Sequence, residues 1–328
     1  MEQSSKVNNP SSKHAMSDTP LVSVVIATYY RNELVEDAIE SVLDQEYDPV
    51  ELIVVDDSGC ANARPILSKY DDVTAIYRSE NGGWGAAYTD GIRAASGQFI
   101  QLVDDDDYLL SEKLERSVAY LEDNPAIGVV YTGMIQDTTG EEYPDPQYTG
   151  NVLEQTLHFR TFPCCTLTMT IRRSLITECL PLSNEADDMN LKIELAQRTR
   201  FGAIDACLAC RRSRTSRKWT GLQRIAEMQR ILRIQADLYD EYPDIRQAVR
   251  TEIAVREGTY RVESHLWSPK AISCFAKAAW LDEDARFLHL SRMVSALFGR
   301  PGIAIARWGH RQIPSDSTRQ NPKEGVDD

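Results

Sequence analysis

Apolar and polar positions in about the first 130 residues alternate between two patterns. One is a short, nearly continuous apolar run, typical of a buried strand, and the other repeats apolar residues three and four positions apart, as one face of a helix does. Strands that alternate with helices in this way are typical of a mostly parallel sheet with helices on both faces. The pattern predicts strands at Leu21–Thr28, Glu51–Val55, Val73–Tyr77, Gln98–Val103, Ile127–Tyr131 and Leu167–Ile171, and helices at Arg31–Gln45, 62–70, Ala86–Ala95, Glu112–Glu122 and Met189–Arg198.

The rest of the chain has a different pattern. Residues 136–150 are rich in Gly, Pro, Asp and Tyr and predict a long loop, whereas residues 221–297 repeat the helical pattern without strand signals. The N-terminal segment is polar and lacks the apolar stretch of a secretory signal. We therefore predict a disordered tail over 1–19, an α/β domain over 20–220, a helical region over 221–311 and a second disordered tail over 312–328.

The net charge of −14 is concentrated in the first half of the 328-residue chain. Residues 1–150 carry 28 Asp and Glu against 9 Lys and Arg, whereas residues 151–328 carry 22 against 27. An acidic chain repels a phosphate backbone, which argues against nucleic acid as a partner. The composition, 42% apolar and 26% charged without an apolar run of the ~18–20 residues that span a bilayer, predicts a cytoplasmic globular protein.

Two local motifs are discounted. Seven cysteines, an odd number, favour free thiols in a reducing compartment. Cys207 and Cys210 have C-x-x-C spacing, but no second pair follows, so a zinc site is not expected. Gly83 and Gly85 do not predict a dinucleotide site, because Tyr88 stands where that turn requires a small residue.

Four consecutive carboxylates follow the fourth predicted strand, in the sequence QLVDDDDY at Gln101–Tyr108. Two carboxylates ~5 Å apart repel each other by ~3 kcal/mol at an effective dielectric constant of ~20. Because side chains of an extended segment alternate between two sides, Asp104 and Asp106 are expected on the same side. Two oxygen ligands with room for waters and phosphates suit Mg2+ or Mn2+. The alternative is a solvated acidic turn.

Further segments accompany this run in a characteristic order. They are VSVVIATYYRNELVEDAIESVLDQ at Val22–Gln45, VVDDSG at Val54–Gly59 and ENGGWGAAYTDGIRAASGQFIQLVDDDDYLLSEKL at Glu80–Leu114. Taken in this order, they resemble the family 2 inverting glycosyltransferases of the GT-A fold, over about residues 21–200. The resemblance implies a Rossmann-like, mostly parallel central sheet that binds a nucleotide-sugar donor and a divalent metal, Mg2+ or Mn2+. A helical C-terminal region follows it here.

The resemblance also assigns roles to individual residues. Tyr29 matches the tyrosine that packs against the uracil ring, and Asp57 matches the carboxylate that binds the N–H of the base. Asp104 and Asp106 match the metal-binding DxD pair, with Asp104 also near the ribose. The remaining donor-site residues in these motifs are Arg31, Asn81 and Gly83.

A downstream acidic pair of the family matches Asp187 and Asp188 in NEADDMNLKIELAQR. The second member is the general base in relatives that use one. This implies that Asp188 takes the proton of an acceptor hydroxyl while the oxygen attacks the anomeric carbon and inverts its configuration. From the residues alone, Asp188 also fits an N-cap of the predicted helix, and the two roles are compatible.

Two basic segments stand out from the acidic background. Arg211–Lys218 holds five cations in eight residues and is expected to contact a donor or acceptor phosphate, or else to be a solvated loop. Ala285–Arg311 holds five Arg, two His and no acid among apolar residues. This composition suits either a helix on an anionic membrane surface or a C-terminal helix packed on the domain.

Together these features predict a metal-dependent, inverting, non-processive hexosyltransferase with a nucleotide-sugar donor, expected to be UDP-linked. The expected acceptor is a lipid-linked saccharide at the inner face of the cell membrane, as in haloarchaeal assembly of lipid-linked glycans for surface glycoproteins. Two alternatives stay open. One is a receiver-like signalling module, whose strands also end in Asp pairs, and the other is an inactive family member that only binds a nucleotide sugar.

Overall fold

The chain divides into two compact units, and the boundary falls in the segment between Arg212 and Gly221. The computed structural model describes residues 19–185, 187–212, 221–265, 267–299 and 301, with only the backbone described at Asp187. The predicted tail 312–328, nearly all of the tail 1–19 and part of the predicted helical region lie outside these residues. The two units are described separately below.

The first unit consists of one sheet with helices on its two faces. Its strands are β1 (Val22–Thr28), β2 (Val50–Asp56), β3 (Val73–Tyr77), β4 (Phe99–Asp104), β5 (Asp107–Leu109), β6 (Ile127–Gln136), β7 (Gly140–Glu142), β8 (Met169–Arg172) and β9 (Arg200–Arg211). Its helices are α1 (Asn32–Leu43), α2 (Arg64–Leu67), α3 (Gly83–Ala94), α4 (Lys113–Asp123), α5 (Leu153–Leu157), α6 (Arg173–Glu178) and α7 (Asp187–Arg198).

The strand order places the ends of three parallel strands side by side. The order is β3-β2-β1-β4-β8-β6-β9-β5, and β7 pairs with β6 outside this path. β1 lies parallel between β2 and β4, with Thr28 opposite Asp56 and Ala27 opposite Asp104. Beyond β4 the sheet is mixed, because β8 pairs antiparallel with both β4 and β6. Open α/β sheets bind ligands at the carboxyl edge of their parallel strands, and here that edge carries the acidic residues.

Alternate residues of the parallel strands pack on opposite faces of the sheet, as the period of two requires. In β1, Val24 and Ile26 belong to the core cluster that contains the apolar residues of α1 and α4. Val25 belongs instead to the cluster that contains those of α3 and α7. The predicted sheet with helices on both faces is therefore confirmed.

The close contact between α3 and the sheet depends on a glycine. A Cβ atom added at Gly91 would lie 2.3 Å from Cγ1 of Val25 and 3.1 Å from Cγ2 of Val55. No side chain fits this space, so α3 lies directly on β1 and β2. The first turn of α3 is thereby held beside the carboxyl ends of both strands.

The second half of the sheet departs from the sequence prediction. β9 has twelve residues, but its sequence RFGAIDACLACR mixes Gly, Ala, Asp and Arg and carries no strand pattern. It pairs parallel with β6 and antiparallel with β5, so pairing with neighbours rather than local propensity makes it a strand. The short elements β5, β7, α5 and α6 are likewise absent from the prediction, and β7 lies inside the predicted loop 136–150.

The second unit is helical, as predicted. Its helices are α8 (Gly221–Ile234), α9 (Ala236–Glu241), α10 (Pro243–Ser264), α11 (Pro269–Leu281) and α12 (Arg286–Leu297). Val262, Phe275 and Ala296, from the last three helices, meet in one buried cluster. Within the described part of the chain, none of the helices is both long and apolar enough to cross a bilayer.

A lysine is fully buried in the first unit. Lys113, the first residue of α4, is 0% exposed, and its Nζ donates to the Thr168 carbonyl (2.8 Å), Ser117 Oγ (3.1 Å) and Thr170 Oγ1 (3.2 Å). These acceptors match the three donors of an ammonium group. Burial lowers the pKa of Lys113 from 10.5 to about 7.

Replacement of Lys113 by Met should change how stability depends on pH. Between about pH 7 and pH 10.5 the unfolded lysine holds a proton that the folded lysine has lost. Unfolding therefore takes up a proton, and the free energy of unfolding of the wild-type chain rises with pH in this window. Lys113→Met should lose this slope, up to about 1.4 kcal/mol per pH unit.

Urea denaturation at pH 7.5, 8.5 and 9.5 measures this effect. Lys69→Met, which changes an exposed lysine paired with Glu36, controls for the loss of one positive charge. Parallel pH profiles for the wild-type chain and Lys113→Met would contradict the prediction.

Candidate active site

The acidic run forms a strand, a turn and a second strand rather than one extended segment. Asp104 is the last residue of β4, Asp105 and Asp106 form the turn, and Asp107 begins β5. The expectation that Asp104 and Asp106 share one side of an extended segment is therefore wrong. The physical reason is a change of pairing partner, since β4 follows β1 and β5 turns away to pair with β9. The turn, not strand alternation, brings these carboxylates together.

Asp105 accepts hydrogen bonds from three donors. It accepts hydrogen bonds from Thr28 Oγ1 at 2.8 Å and from the backbone N–H of Tyr29 at 3.4 Å. Arg31 donates to its other oxygen at 2.6 Å. Burial raises the pKa of the Asp105 carboxyl despite the opposing effect of Arg31. These contacts tie the acidic turn to the end of β1.

Asp104 and Asp107 are the carboxyl groups of the run whose pKa values are raised most. Burial raises the pKa of Asp104 to about 6, and the charges of Asp106 and Asp105 also raise it. The hydrogen bond from the Tyr88 hydroxyl, 2.9 Å from Asp104 Oδ1, lowers it. Burial and the charge of Asp104 raise the pKa of Asp107 to about 8. A raised carboxyl pKa means that the negative charge is not fully compensated by its surroundings. The edge of the sheet therefore favours an added cation.

The donor set fits a hard divalent cation. Asp104 and Asp106 are both partly exposed and offer carboxylate oxygens, the ligands that Mg2+ and Mn2+ prefer. Among the described residues, no group of three or more His, Cys, Asp and Glu side chains is arranged as a ready-made metal cage. A site with few protein ligands suits Mg2+, which takes one or two carboxylates and fills its other positions with waters and substrate phosphates.

Asp57 lies where β2 ends and connects that strand to the first turn of α3. Its two oxygens accept the backbone N–H groups of Gly82 and Gly83, each at 2.8 Å. Arg78 Nε lies 2.8 Å from Asp57 Oδ1. Gly83 has a φ of +80°, which a residue with a side chain adopts only with strain. Asp57 is 4% exposed and is fixed by two backbone donors and an ion pair with Arg78.

The glycine-rich turn is closed to a dinucleotide phosphate. The N–H groups of Gly82 and Gly83 are taken by Asp57, and the N–H of Gly85 donates to Asn184 Oδ1 at 2.6 Å. The amide nitrogen of Asn184 donates in turn to the Gly82 carbonyl at 2.6 Å. Phosphate binding at a helix N-terminus needs free N–H groups, and these three are occupied within the protein.

Tyr29 projects from the end of β1 with its side chain accessible. Tyr29 is 48% exposed and Tyr30 is 54% exposed, and the two rings meet edge to face with centroids 4.8 Å apart. Tyr30 has a φ of +53°, and its hydroxyl donates to the Ser58 carbonyl at 3.2 Å. An exposed aromatic ring beside Asp57 offers a stacking surface for a planar ligand. Asn81, the last predicted donor-site residue, is exposed on the approach to α3.

Asp188 lies one residue inside α7, since this helix begins at Asp187. Its Oδ2 is 3.5 Å from Lys192 Nζ, one turn later, and 24% of its side chain is exposed. Lys192 also donates to the Cys164 carbonyl at 2.8 Å, which ties α7 to the segment before β8. Asp188 is thus held by an ion pair within the first turn rather than standing before the helix as an N-cap.

Arg211 connects the acidic run to Asp188. Cys165, and then the carboxylates of Asp107, Asp188 and Asp104, raise the pKa of this arginine against the effect of burial. Its Nε lies 3.8 Å from Asp107 Oδ2, and its Nη2 donates to the Cys165 sulfur at 3.1 Å. Asp104 of the predicted metal pair and the predicted base Asp188 therefore both act on the charge of Arg211.

Sequence reasoning did not single out Arg211 or Tyr88. Arg211 appears in the sequence only as the first of a run of basic residues, and its role depends on β9. Its neighbour Arg212 pairs with Asp37 at 2.6 Å and lies over the Tyr108 ring. Residues 213–218 of that predicted basic segment lie outside the described residues. The hydroxyl of Tyr88 could be found only from the packing of α3 on β4.

The cysteine pair does not form a metal site with neighbouring residues of the described chain. Cys207 and Cys210 both lie on β9, and all seven cysteines are free thiols. Cys207 is close to the Glu142 carbonyl, with its sulfur 3.7 Å from that oxygen. The absence of a zinc site at this pair stays a prediction.

Comparison with known proteins identifies the family. Residues 23–180 match the family described as glycosyl transferase family 2. These residues form a family 2 glycosyltransferase domain. The match removes the receiver-like signalling module from consideration, because the same β2 and β4 aspartates belong to the family 2 domain.

Curated relatives cover part of the chain. A Bacillus subtilis protein provisionally named teichuronic acid biosynthesis glycosyltransferase TuaG is 32% identical over 127 residues, which are 37% of this chain and 50% of that protein. An uncharacterized glycosyltransferase of Rickettsia typhi is 32% identical over 146 residues, 42% of this chain and 46% of that protein. The chain thus spans about half the length of the curated relatives it matches.

Solved structures share the fold of the family 2 domain. Staphylococcus aureus TarS 1-349, solved in complex with UDP-GlcNAc, has a TM-score of 0.60 at 18% identity and covers 88% of this chain and 92% of its own. The mannosyltransferase PcManGT of Pyrobaculum calidifontis, solved with GDP-Man and Mn2+, has a TM-score of 0.54 at 17% identity. The match covers 89% of this chain and 84% of the PcManGT chain. The predicted GT-A fold is confirmed.

Removal of the Asp57 carboxylate should destabilise the domain strongly. Asp57→Ala leaves Arg78 and two backbone N–H groups without their buried acceptor, so we expect the free energy of unfolding to fall by about 3 kcal/mol. Asp90→Ala is the matched control, because Asp90 pairs with the same arginine but is 36% exposed in its side chain. It should lose less than about 1 kcal/mol. Equal losses for the two variants in urea denaturation would contradict the role of Asp57.

Proposed function

We propose that this chain is a metal-dependent inverting glycosyltransferase that moves one hexose at a time from a nucleotide sugar to an acceptor hydroxyl. The observation that carries the proposal is that Arg211 lies 3.8 Å from Asp107 and that the charges of Asp107, Asp188 and Asp104 raise its pKa, in a chain with a family 2 domain. Carboxylates for a cation and a separate carboxylate for a base are what such a transfer requires.

The donor side of the site is assigned to the ends of β1, β2 and β4. The exposed Tyr29 ring stacks on the nucleotide base, and Asp57 is the carboxylate assigned to the N–H of the base. Since Asp57 already accepts two backbone N–H groups, its contact to a base uses its remaining lone pairs. Arg31, Asn81 and Gly83 complete the donor side. A UDP-sugar is the proposed donor, which is consistent with the UDP-GlcNAc bound by TarS.

Asp104 and Asp106 are the proposed metal ligands. A bound Mg2+ or Mn2+ would neutralise the charge that develops on the leaving diphosphate. Without a cation between them, the carboxylates of the turn and the diphosphate would repel each other. The Tyr88 hydroxyl holds Asp104 in place from the protein side. The Mn2+ bound with GDP-Man by PcManGT supports this assignment.

Asp188 is the proposed general base. It takes the proton of the acceptor hydroxyl while that oxygen attacks the anomeric carbon opposite the diphosphate, which inverts the configuration. The ion pair with Lys192 holds the carboxylate in the first turn of α7. An inactive family member that only binds a nucleotide sugar would not need a general base such as Asp188.

The proposed acceptor is a lipid-linked saccharide, and the second unit carries a surface that suits a membrane. Phe287, Val294 and Phe298 lie on one face of α12 and its end, at the helical spacing of seven and four residues. They are 88%, 49% and 70% exposed. Trp267 extends this apolar face, because its indole N–H donates to the Leu297 carbonyl at 3.0 Å.

Basic residues lie on the same helix as this apolar face. α12 contains two Arg and one His and no acid, within the acid-free stretch 285–311. Arg286 pairs with Glu283 and the buried His289 with Asp282, just before the helix, which leaves Arg292 as the basic residue for a membrane. Large apolar side chains beside basic ones are typical of helices that lie on an anionic bilayer. α12 also packs on α11, which agrees with the interpretation as a packed C-terminal helix. The membrane interpretation is part of this proposal, and residues 302–311 of the segment lie outside the described residues. We therefore place the enzyme at the inner face of the membrane, in the assembly of lipid-linked glycans for surface glycoproteins.

Asp188→Asn should abolish transfer while leaving donor binding intact. The amide cannot take a proton, so we expect a loss of roughly a hundredfold or more in turnover with little change in the affinity for UDP. Glu112→Gln is the matched control, since Glu112 lies at the start of α4 and pairs with Arg116 one turn later. Product formation from a panel of UDP-sugars with membrane lipid extract, followed by mass spectrometry, measures turnover. Full activity of Asp188→Asn would exclude Asp188 as the base.

Binding to anionic vesicles should depend on the apolar face of α12. Replacing both Phe287 and Phe298 by Ser removes two exposed aromatic anchors, so the bound fraction should fall by about tenfold or more. Tyr143→Ser, which changes a tyrosine of the first unit that is 51% exposed, is the control. Sedimentation with phosphatidylserine-containing and phosphatidylcholine vesicles measures the effect. Equal binding by the wild-type chain and the double variant would contradict this surface assignment.

A further inference from the structure

Arg31 already occupies a cationic position in the acidic turn. Its Nη1 lies 2.6 Å from Asp105 Oδ1 and 3.6 Å from Asp106 Oδ1. Its guanidinium is therefore within ion-pair distance of two carboxylates of the turn. One arginine therefore balances part of the negative charge that a divalent cation would balance.

The contacts of Arg31 with the two carboxylates differ in length and in solvent exposure. Asp105 is 2% exposed in its side chain and also accepts Thr28 Oγ1 and the Tyr29 N–H. Asp106 is 19% exposed, and its contact with Arg31 is an ångström longer than that of Asp105. The pair of Arg31 with Asp105 is thus a fixed part of the fold, whereas the contact with Asp106 is long enough and accessible enough to be exchanged.

We infer that Arg31 is an internal counter-cation that competes with the divalent metal for Asp106 and stays on Asp105 when the metal binds. The inference rests on the proposed metal site and adds to the donor-side assignment of Arg31 a role as a positioning residue for the metal ligand Asp106. A fixed positive charge next to a ligand carboxylate weakens binding of a second cation. The divalent metal alone therefore binds weakly.

The same competition makes metal and donor uptake cooperative. A nucleoside diphosphate adds negative charge to the site, which offsets the repulsion between Arg31 and the incoming metal. The donor thus increases the affinity for the metal, and the metal increases the affinity for the donor by the same factor. An exchangeable contact of this kind would keep the empty site from holding a metal until a nucleotide sugar is present.

A purely structural role for Arg31 predicts something different. If Arg31 only anchors Asp105, its loss should lower the stability of the fold and leave the affinity for a divalent cation unchanged or weaker. If Arg31 is a counter-cation, its loss should raise that affinity. The affinity for Mn2+ in the absence of nucleotide therefore separates the two roles without any measurement of transfer.

The test is a titration of the full chain with Mn2+, followed by electron paramagnetic resonance, without nucleotide. We expect Arg31→Gln to bind Mn2+ about tenfold more tightly than the wild-type chain. Arg31→Lys keeps the positive charge and should stay within about twofold of the wild type, since the effect is one of charge. Arg116→Gln is the control, because Arg116 pairs with Glu112 on the surface of α4. Equal or weaker Mn2+ binding by folded Arg31→Gln overturns the inference.

A repeat with saturating UDP separates this inference from the proposed function. Failure of the wild-type chain to take up Mn2+ with UDP contradicts the proposed metal-dependent donor site. Uptake by the wild type that Arg31→Gln leaves unchanged, with and without UDP, contradicts only the role of Arg31. The increase in Mn2+ affinity caused by UDP should be smaller in Arg31→Gln than in the wild type.

A second measurement needs no variant and decides the case where Arg31→Gln does not fold. In a crystal structure of the wild-type chain with Mn2+ and UDP, Arg31 should still donate to Asp105, and Asp106 should lie beyond ion-pair distance from Arg31. A metal-bound structure in which Arg31 keeps both carboxylates overturns the inference.

Discussion

The structure depends on holding several carboxylates together at the carboxyl edge of one sheet. Parallel pairing fixes the ends of β1, β2 and β4 side by side, so the aspartates that follow these strands cannot separate. Three of the carboxylates at this edge are each offset by an arginine. Arg31 pairs with Asp105, Arg78 with Asp57 and Arg211 with Asp107. The compensation is incomplete at Asp104 and Asp107, where burial raises the carboxyl pKa to about 6 and about 8.

The first turn of α3, at the same edge of the sheet, differs from a phosphate-binding turn. In a dinucleotide-binding turn, the N–H groups at the start of a helix are free to hold phosphate. Here Asp57 and Asn184 take them, so the helix start serves to fix the loops rather than to bind an anion directly. In the proposed site, a divalent cation binds the diphosphate instead, and the raised pKa values of Asp104 and Asp107 are consistent with that role.

Much of the parallel half of the domain could be predicted from the sequence, because its strands are continuous apolar runs and its helices are amphipathic. The motif order also led to the family, and the GT-A fold was confirmed. The acidic turn was not predicted correctly, since alternation along a strand says nothing about where the chain reverses. β9 was missed because its residues have no strand pattern of their own, and Arg211, which it carries, was missed with it. The roles of the individual site residues stay predictions, since pairing partners such as Tyr88 and Lys192 depend on three-dimensional packing.

The central claim is that Asp104 and Asp106 take up a divalent cation jointly with a nucleoside diphosphate. Isothermal titration calorimetry of UDP binding with and without saturating Mn2+, for the wild-type chain and Asp106→Asn, tests it most directly. The account predicts that Mn2+ increases the affinity of the wild-type chain for UDP by about tenfold or more and that Asp106→Asn loses this increase. Affinity for UDP that is independent of Mn2+ in the wild-type chain would contradict the account.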